Sequence, residues 1–212
     1  MKHIVFDIET IPQDEAKLLA LAPEFAAPAN LKDPAKIEAA IARKKADYVA
    51  DAALNWKTAE IVLIGAGDDA GIQSFTASTE KELVGNFLTL LGDALADGVA
   101  VGGHNVKGFD LPMLVNRARV HGLKIPMTLL SFWKGRPTWH EAVFDTLELL
   151  SFGRSFDGNG VEDVARVLGL PPKLGNGRDF PLMWRADREG AVAYNRRDVE
   201  IEIEIARICG CI

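Results

Sequence analysis

Residues 3–12 form the stretch HIVFDIETIP, which places two carboxylates at the end of a strand-like run. The β-branched and aromatic residues at positions 3–6 predict a buried strand. Asp7 and Glu9 are two residues apart, so on an extended chain both side chains point to the same face of a sheet. Like charges so placed repel, and burial raises the cost unless a cation neutralises them. The pair is therefore compatible with either a solvated strand end or a metal site.

The composition of the 212-residue chain limits the kinds of protein it can be. A hydrophobic share of 48% and a charged share of 25% predict a single domain over residues 1–212 with a sizeable core. Cys209 and Cys211 provide no disulfide framework, and four scattered histidines give no zinc-site spacing. The start of the chain leaves no room for a signal peptide and no apolar run reaches membrane length, so we expect a cytoplasmic protein without a membrane partner.

The net charge of −6 bears on nucleic-acid binding. It argues against a protein that coats nucleic acid through bulk positive charge. It does not exclude a protein that holds nucleic acid in a small site through divalent metal.

The hydrophobic pattern along the chain predicts an α/β fold. The predicted strands cover residues 3–6, 59–67, 71–75, 99–103 and a short run within 142–150. The predicted helices cover residues 79–98, 111–122, 160–170 and about 187–208, and the strand within 142–150 runs into a further helix. Residues 14–54 form a helical insertion after the first strand. Residues 199–205 alternate as a strand would, but their apolar residues also continue a helical stripe from Tyr194, which favours a helix.

The glycines at positions 65, 67 and 71 imitate a dinucleotide-binding turn. That motif requires a helix directly after the turn, because the helix N-terminus meets the pyrophosphate. Here another strand-like run follows, so we predict a β-hairpin instead.

The stretch GHNVKGFDLP at residues 103–112 joins a predicted strand to a predicted helix. Asp110 lies at the start of that helix, with Asn105 and Phe109 nearby. Ligands of open α/β sheets collect at the ends of strands and the N-termini of helices. The alternative is that Asp110 only caps the helix.

The stretch AYNRRDVE at residues 193–200 carries a second pair of polar groups. Tyr194 and Asp198 are four residues apart and therefore share one face of the predicted helix. The alternative for Tyr194 is ordinary amphipathic packing with its hydroxyl at the rim of the core.

Together, FDIET, HNVKGFD and YNRRD resemble the three exonuclease motifs of the DnaQ-like (ribonuclease H-like) superfamily. More narrowly, they resemble its DEDD branch with tyrosine in the third motif. The spelling DIET and the tail LGLPP…F…W…AYNRRD are most similar to stand-alone relatives of the proofreading exonuclease domain of family B DNA polymerases. The resemblance runs over nearly the whole chain and implies a ribonuclease H-like fold with a mixed five-stranded sheet flanked by helices. The insertion at residues 14–54 departs from the compact core of the family.

The resemblance implies a metal-dependent 3′-to-5′ exonuclease that releases nucleoside monophosphates from single-stranded DNA with two Mg²⁺ or Mn²⁺ ions. The implied catalytic residues, of which the four acids would bind the metals, are Asp7, Glu9, Asp110, Tyr194 and Asp198. The implied contacts to the terminal nucleotide are Thr10, Asn105 and Phe109. For the remaining polar residues of these segments we favour structural or solvated roles; these are His104, His140, Asp145, Arg196 and Arg197.

Three alternatives to this function stay open. The same motifs do not distinguish the sugar, so an exoribonuclease is the nearest alternative. A catalytically silent nucleic-acid-binding module would have the fold without the reaction, although all five key side chains are present. A cofactor-binding dehydrogenase domain would require the glycine turn that we interpret as a hairpin.

Overall fold

The structure, a computed structural model, describes residues 3–132, 142–152 and 160–212. The strands in these ranges are β1 (His3–Pro12), β2 (Ala59–Asp68), β3 (Gly71–Phe75), β4 (Ala100–Gly103) and β5 (Val143–Asp145). The helices are α1 (Glu15–Leu21), α2 (Pro34–Ala50), α3 (Glu80–Ala96), α4 (Asp110–Val120), α5 (Met127–Phe132), α6 (Thr146–Leu150), α7 (Val161–Val167), α8 (Phe180–Ala186) and α9 (Arg188–Ile208).

The strands form one sheet in the order β3-β2-β1-β4-β5. β1 is antiparallel to β2 and parallel to β4, and β4 is parallel to β5. The sheet is therefore mixed, and the predicted α/β fold with five strands flanked by helices is confirmed. Because β1, β4 and β5 run the same way, their carboxyl ends meet at one edge of the sheet.

The alternation of side chains along β1 assigns its two faces to different helices. Ile4, Phe6 and Ile8 enter the core that α3 covers, whereas Val5 packs with residues of α9. Asp7 and Glu9 follow the period of Val5 and therefore face α9. A register shift between Glu9 and Thr10 interrupts the pairing with β2 just after the second acid.

The glycine-rich segment after β2 is the predicted hairpin, not a dinucleotide-binding turn. β2 pairs antiparallel with β3 from Ile64 opposite Phe75 to Asp68 opposite Gly71. Gly71 has a φ of 150°, a conformation that residues with a side chain rarely adopt.

The insertion after β1 is helical, as predicted, and consists of α1, α2 and a 3₁₀ turn at Ala52–Leu54. Asp33 caps α2 by accepting from the N–H of Ala35, and Pro34 occupies its first turn. A hydrogen bond joins the insertion to the end of β1, since the Thr10 hydroxyl donates to the Ala53 carbonyl over 2.6 Å.

The helices predicted after the hairpin are confirmed as α3, α4, α6, α7 and α9. Residues 199–205 lie within α9, so the strand alternative for this segment is wrong. The run is helical because its apolar residues pack on two sides, against the sheet and against α7. The short helices α5 and α8 were not predicted, since one or two turns give too little periodicity. None of the described helices is both long and apolar enough to cross a membrane.

Candidate active site

Three carboxylates from two elements converge in the middle of β1, just beyond the point where its pairing with β4 ends. The predicted strand over residues 3–6 was too short, because pairing with β2 continues β1 to Pro12. Asp7 and Glu9 come from the strand, and Asp198 comes from α9, which packs across this face of the sheet. One oxygen of each carboxylate lies within 4.8 Å of one oxygen of each of the others. The convergence follows from β1 alternation on one side and from the apolar contact between Val5 and Val199 on the other.

Asp110, the first residue of α4, lies on the other side of Asp7. β4 pairs with β1 only from His3 to Val5, and beyond that point the Ile8 N–H donates to Asp110 Oδ1 over 2.9 Å. Asp110 lines a cavity of about 300 Å³ together with Asp7 and Asp198. The N-cap position of α4 is Phe109, and Asp110 is the first helical residue, with its carboxylate bonded to β1 and not only to its own helix.

Burial and mutual repulsion raise the pKa values of these acids, so their simultaneous ionisation is unfavourable. It raises the pKa of Asp7 from 3.8 to about 7, with the charge of Asp198 as the next cause. Burial, followed by the charge of Asp7, also raises the pKa values of Glu9 and Asp110 well above their ordinary range. For Asp198, burial raises the pKa and the charge of Lys173 opposes that change.

The donor set fits hard divalent cations. All the converging groups are carboxylates, which Mg²⁺ and Mn²⁺ prefer as ligands. Asp198 Oδ1 is buried and has no hydrogen-bond partner among the residues that the structure describes. A buried acceptor without a donor is costly, and a cation would satisfy it.

Tyr194 stands one turn before Asp198 on the same face of α9. Its side chain is 2% exposed and packs against Phe180 at a centroid distance of 6.0 Å. Burial, with the charge of Asp198 as the next cause, raises the pKa of its hydroxyl above the usual value of 10. The hydroxyl therefore keeps its proton at neutral pH.

Lys173 is a basic residue of the site that the sequence analysis missed. Its Nζ lies 2.7 Å from Asp198 Oδ2 and 5.3 Å from the centroid of the Tyr194 ring. Burial alone would lower its pKa, but the charge of Asp198 raises the pKa above the ordinary value. Its ammonium group therefore supplies positive charge to the acids. It comes from a loop rich in proline and glycine, and no local pattern marks it.

Asn195 is a second residue that the sequence analysis missed. It is fully buried, and its Nδ2 donates to Asp7 Oδ2 over 2.8 Å, which fixes the orientation of that carboxylate. The space for it exists because residue 65 is glycine. A Cβ at Gly65 would lie 2.2 Å from Asn195 Oδ1. Asn195 directly follows Tyr194 in the third motif, and this position could have indicated that it belongs to the site.

The residues predicted to contact the terminal nucleotide occupy different surroundings. Asn105 and Phe109 line the cavity with Asp7 and Asp110. Thr10 is buried, and its hydroxyl is engaged with the insertion as described above. The contact of Thr10 with a nucleotide stays a prediction.

Three of the five polar residues for which we favoured structural or solvated roles have structural contacts. Asp145 accepts from the N–H groups of Asn105 and Lys107, each over 2.9 Å. The His104 ring lies 2.9 Å from the Thr146 hydroxyl, and Arg197 contacts Glu200 on its own helix. Arg196 lines an open hollow beside the β2–β3 hairpin. His140 lies outside the described residues.

Glu202 is a fifth acid beside this cavity, and the sequence analysis did not include it. It is 2% exposed and lies one turn after Asp198 on α9. Burial, then the charges of Asp7, Asp110 and Asp198, raises its pKa well above the ordinary value. The spacing of four residues from Asp198 was a signal that could have identified it.

A family model described as a predicted 3′-5′ exonuclease related to the exonuclease domain of PolB matches residues 56–201, more than half of the chain. The chain belongs to this family. The matched range includes Asp110, Tyr194 and Asp198, while β1 with Asp7 and Glu9 precedes it. Membership in the PolB-exonuclease-related family confirms the relationship to the exonuclease domain of family B polymerases that the DIET spelling and the tail indicated. No curated protein sequence matches the chain significantly.

Among solved structures, the chain resembles the family B DNA polymerase from the hyperthermophilic archaeon Pyrobaculum calidifontis with a TM-score of 0.59 and 16% sequence identity. The match covers 97% of this chain and 24% of the polymerase chain, so this chain spans only a part of that protein's length. At this identity the likeness establishes the fold. This member of the PolB-exonuclease-related family has the ribonuclease H-like fold that the sequence predicted.

Proposed function

We propose that this protein is a metal-dependent 3′-to-5′ exonuclease that releases nucleoside monophosphates from single-stranded DNA. The observation that carries the proposal is the convergence of Asp7, Glu9 and Asp198 within 4.8 Å. Asp110 lines the adjoining cavity. The family of predicted 3′-5′ exonucleases to which the chain belongs supports the class of reaction.

The four acids would hold two divalent cations. Asp7, Glu9 and Asp198 would bind one, and Asp7 with Asp110 would bind the other. Such a pair, when bound, neutralises charge on the phosphate and binds the attacking and leaving oxygens. Because Asp7 and Glu9 hold protons readily in the metal-free protein, metal binding releases protons and strengthens as the pH rises.

Tyr194 would orient the attacking water. Its raised pKa makes it a poor base but leaves an intact hydroxyl that can donate to or accept from water. Its ring is held by Phe180 and by the Lys173 ammonium, so the position of the hydroxyl oxygen is fixed. A fixed donor beside the acids reduces the orientational freedom of the nucleophile.

The cavity favours one unpaired end. A volume of about 300 Å³ lies at the lower limit for small-ligand sites and suits a single nucleotide. Phe109 offers a ring against the terminal base and Asn105 offers polar contacts to it. The net charge of −6 provides little attraction for a duplex.

The test is a digestion of 5′-labelled single-stranded DNA with Mg²⁺, Mn²⁺ or chelator, beside a closed circular single strand and a labelled RNA of the same sequence. We expect a ladder of shortening products from the linear DNA only when metal is present, and an intact circle. Cutting of the circle at a comparable rate would mean an endonuclease. Faster digestion of the RNA would mean an exoribonuclease, and binding without digestion would mean a silent module.

A further inference from the structure

Glu202 is a buried acid for which the mechanism above has no use. It lies on the face of α9 that carries Asp198, and it lines the same cavity as Asp7 and Asp110. An additional negative group here is unfavourable, because three other carboxylates already repel it. A purely apolar side chain would pack at this position without that cost.

The carboxylate of Glu202 bonds to the backbone between β4 and α4. Its Oε2 accepts from the His104 N–H over 3.2 Å. Glu202 also lies close to Gly103, since a Cβ there would lie 3.0 Å from that oxygen and 2.7 Å from the Phe6 carbonyl oxygen, of which the backbone oxygen is the one that excludes a side chain. The close fit shows that this backbone and this carboxylate are packed against each other.

The segment 103–107 that Glu202 contacts contains a left-handed turn. Asn105 has a φ of 64°, in the left-handed region that asparagine adopts more readily than other residues with a side chain. Asp145 holds the other side of the segment through the N–H groups of Asn105 and Lys107. Glu202 of α9 and Asp145 of β5 therefore hold three backbone N–H groups within residues 104–107.

This segment also positions the site. Asn105 lines the cavity, and the carbonyl of Asn105 accepts from the N–H of Phe109 over 2.9 Å, immediately before Asp110. A displacement of His104 would therefore move Asn105, Phe109 and the start of α4 together. Small displacements of the groups that contact a substrate have large effects on the rate of its reaction.

We propose that Glu202 is a positioning residue that holds the His104 N–H and thereby places Asn105 and Phe109 against the 3′-terminal nucleotide. This inference rests on the proposed function, and it concerns the hydrogen bond rather than the charge. A neutral side chain of the same shape with an acceptor oxygen will therefore serve as well.

The experiment compares Glu202→Leu, which loses the acceptor, with Glu202→Gln, which keeps it. Glu204→Leu is the matched control, because Glu204 lies on the same helix with its carboxylate 47% exposed and paired with Arg207. Each protein is assayed by amide hydrogen exchange over residues 103–107 and by kcat and KM on 5′-labelled single-stranded DNA with Mn²⁺. Thermal melts establish that each variant is folded at the assay temperature.

We expect Glu202→Leu to accelerate exchange in this segment and to raise KM, each on the order of tenfold. Glu202→Gln and the control should stay near the parent. Unchanged exchange and KM in Glu202→Leu, or equal defects in the leucine and glutamine variants, would overturn the inference. If the parent protein digests no 3′ end, the proposed function fails, while hydrogen exchange still decides whether Glu202 holds the segment.

Discussion

The acidic side chains on the two faces of the sheet form two groups, a single buried glutamate on one face and five carboxylates on the other. The groups differ in how fully nearby donors balance their negative charge. On the α3 face, Glu80 accepts from Arg117 Nε over 2.8 Å, from the Ile61 N–H over 2.8 Å, and lies 2.7 Å from His121 Nε2. On the α9 face, five carboxylates lie close together, and the Lys173 ammonium pairs with only one of them, Asp198, over 2.7 Å. The first acid is matched by donors, and the second group has more negative charge than its surroundings neutralise.

The pKa values express this difference. Burial alone would raise the pKa of Glu80, but the bonds from Arg117, Ile61 and His121 lower it overall. Asp7, which is half-buried and surrounded by other acids, has its pKa raised to about 7. A matched acid stabilises the fold, whereas a group of unmatched acids is stabilised only by something that the chain itself does not supply.

The largest expected effect separates the two groups by activity. Asp198→Asn should lower kcat/KM on single-stranded DNA by at least about a hundredfold, because it removes a ligand rather than a residue that supports one. Glu80→Gln, assayed at a temperature where it is folded, should keep most of the activity. Equal losses in the two variants, measured per folded molecule, would contradict the division between a catalytic and a structural group.

The next effect separates them by stability. Glu80→Gln should lower the free energy of unfolding by about 3–5 kcal/mol, since the buried Arg117 loses its charged partner. Asp7→Asn should be at least as stable as the parent in chelator, because it removes repulsion and keeps an acceptor for Asn195. Urea denaturation at pH 7 in chelator measures both. A clear destabilisation by Asp7→Asn would mean that Asp7 is a structural residue.

The pH dependence of stability should have opposite signs in the two groups. The raised pKa of Asp7 contributes stability that is fully present below its unfolded value of 3.8 and is lost as the pH rises through about 7. The lowered pKa of Glu80 contributes stability that is present above 4.5 and is lost as the pH falls through its folded value.

Melting temperatures in chelator between pH 3 and pH 8 can test this expectation. The advantage of Asp7→Asn over the parent should grow as the pH rises. The deficit of Glu80→Gln should shrink below pH 4.5. Parallel curves for the parent and Asp7→Asn would contradict the assignment.

The smallest effect concerns Lys173. Its ammonium group competes with a cation for Asp198, so Lys173→Met should strengthen Mn²⁺ binding by about three- to tenfold. Isothermal titration calorimetry measures the change, and Lys57→Met is the control, because Lys57 contacts an exposed tryptophan ring. Weaker Mn²⁺ binding in Lys173→Met would mean that the lysine supports the site rather than competing for it.

The sequence predicted the parts of the site that depend on local periodicity. Asp7 and Glu9 share a face because a strand alternates, and Tyr194 and Asp198 share a face because a helix repeats. The mixed five-stranded sheet flanked by helices followed from the family resemblance, whereas the order of its strands was not predicted. These features need no knowledge of which residues are neighbours in space.

The residues that the sequence analysis missed depend on contacts between distant segments. Lys173 reaches the acids from a loop, Asn195 fits because of a glycine on β2, and Glu202 bonds to the backbone after β4. Neither periodicity nor motif spacing encodes these contacts. The Arg117–Glu80 pair was missed for the same reason, as it joins α4 to the first turn of α3.

Because Gly65 has no side chain, Asn195 has room to hold the Asp7 carboxylate, so a substitution on β2 at this position would change the orientation of Asp7. Even alanine at this position would place a carbon 2.2 Å from the Asn195 carboxamide oxygen, and the carboxamide would have to move away from the carboxylate. Position 65 lies outside the three motifs and carries no functional group of its own. A complete substitution map of this chain would therefore contain an intolerant position in the middle of an otherwise ordinary apolar strand.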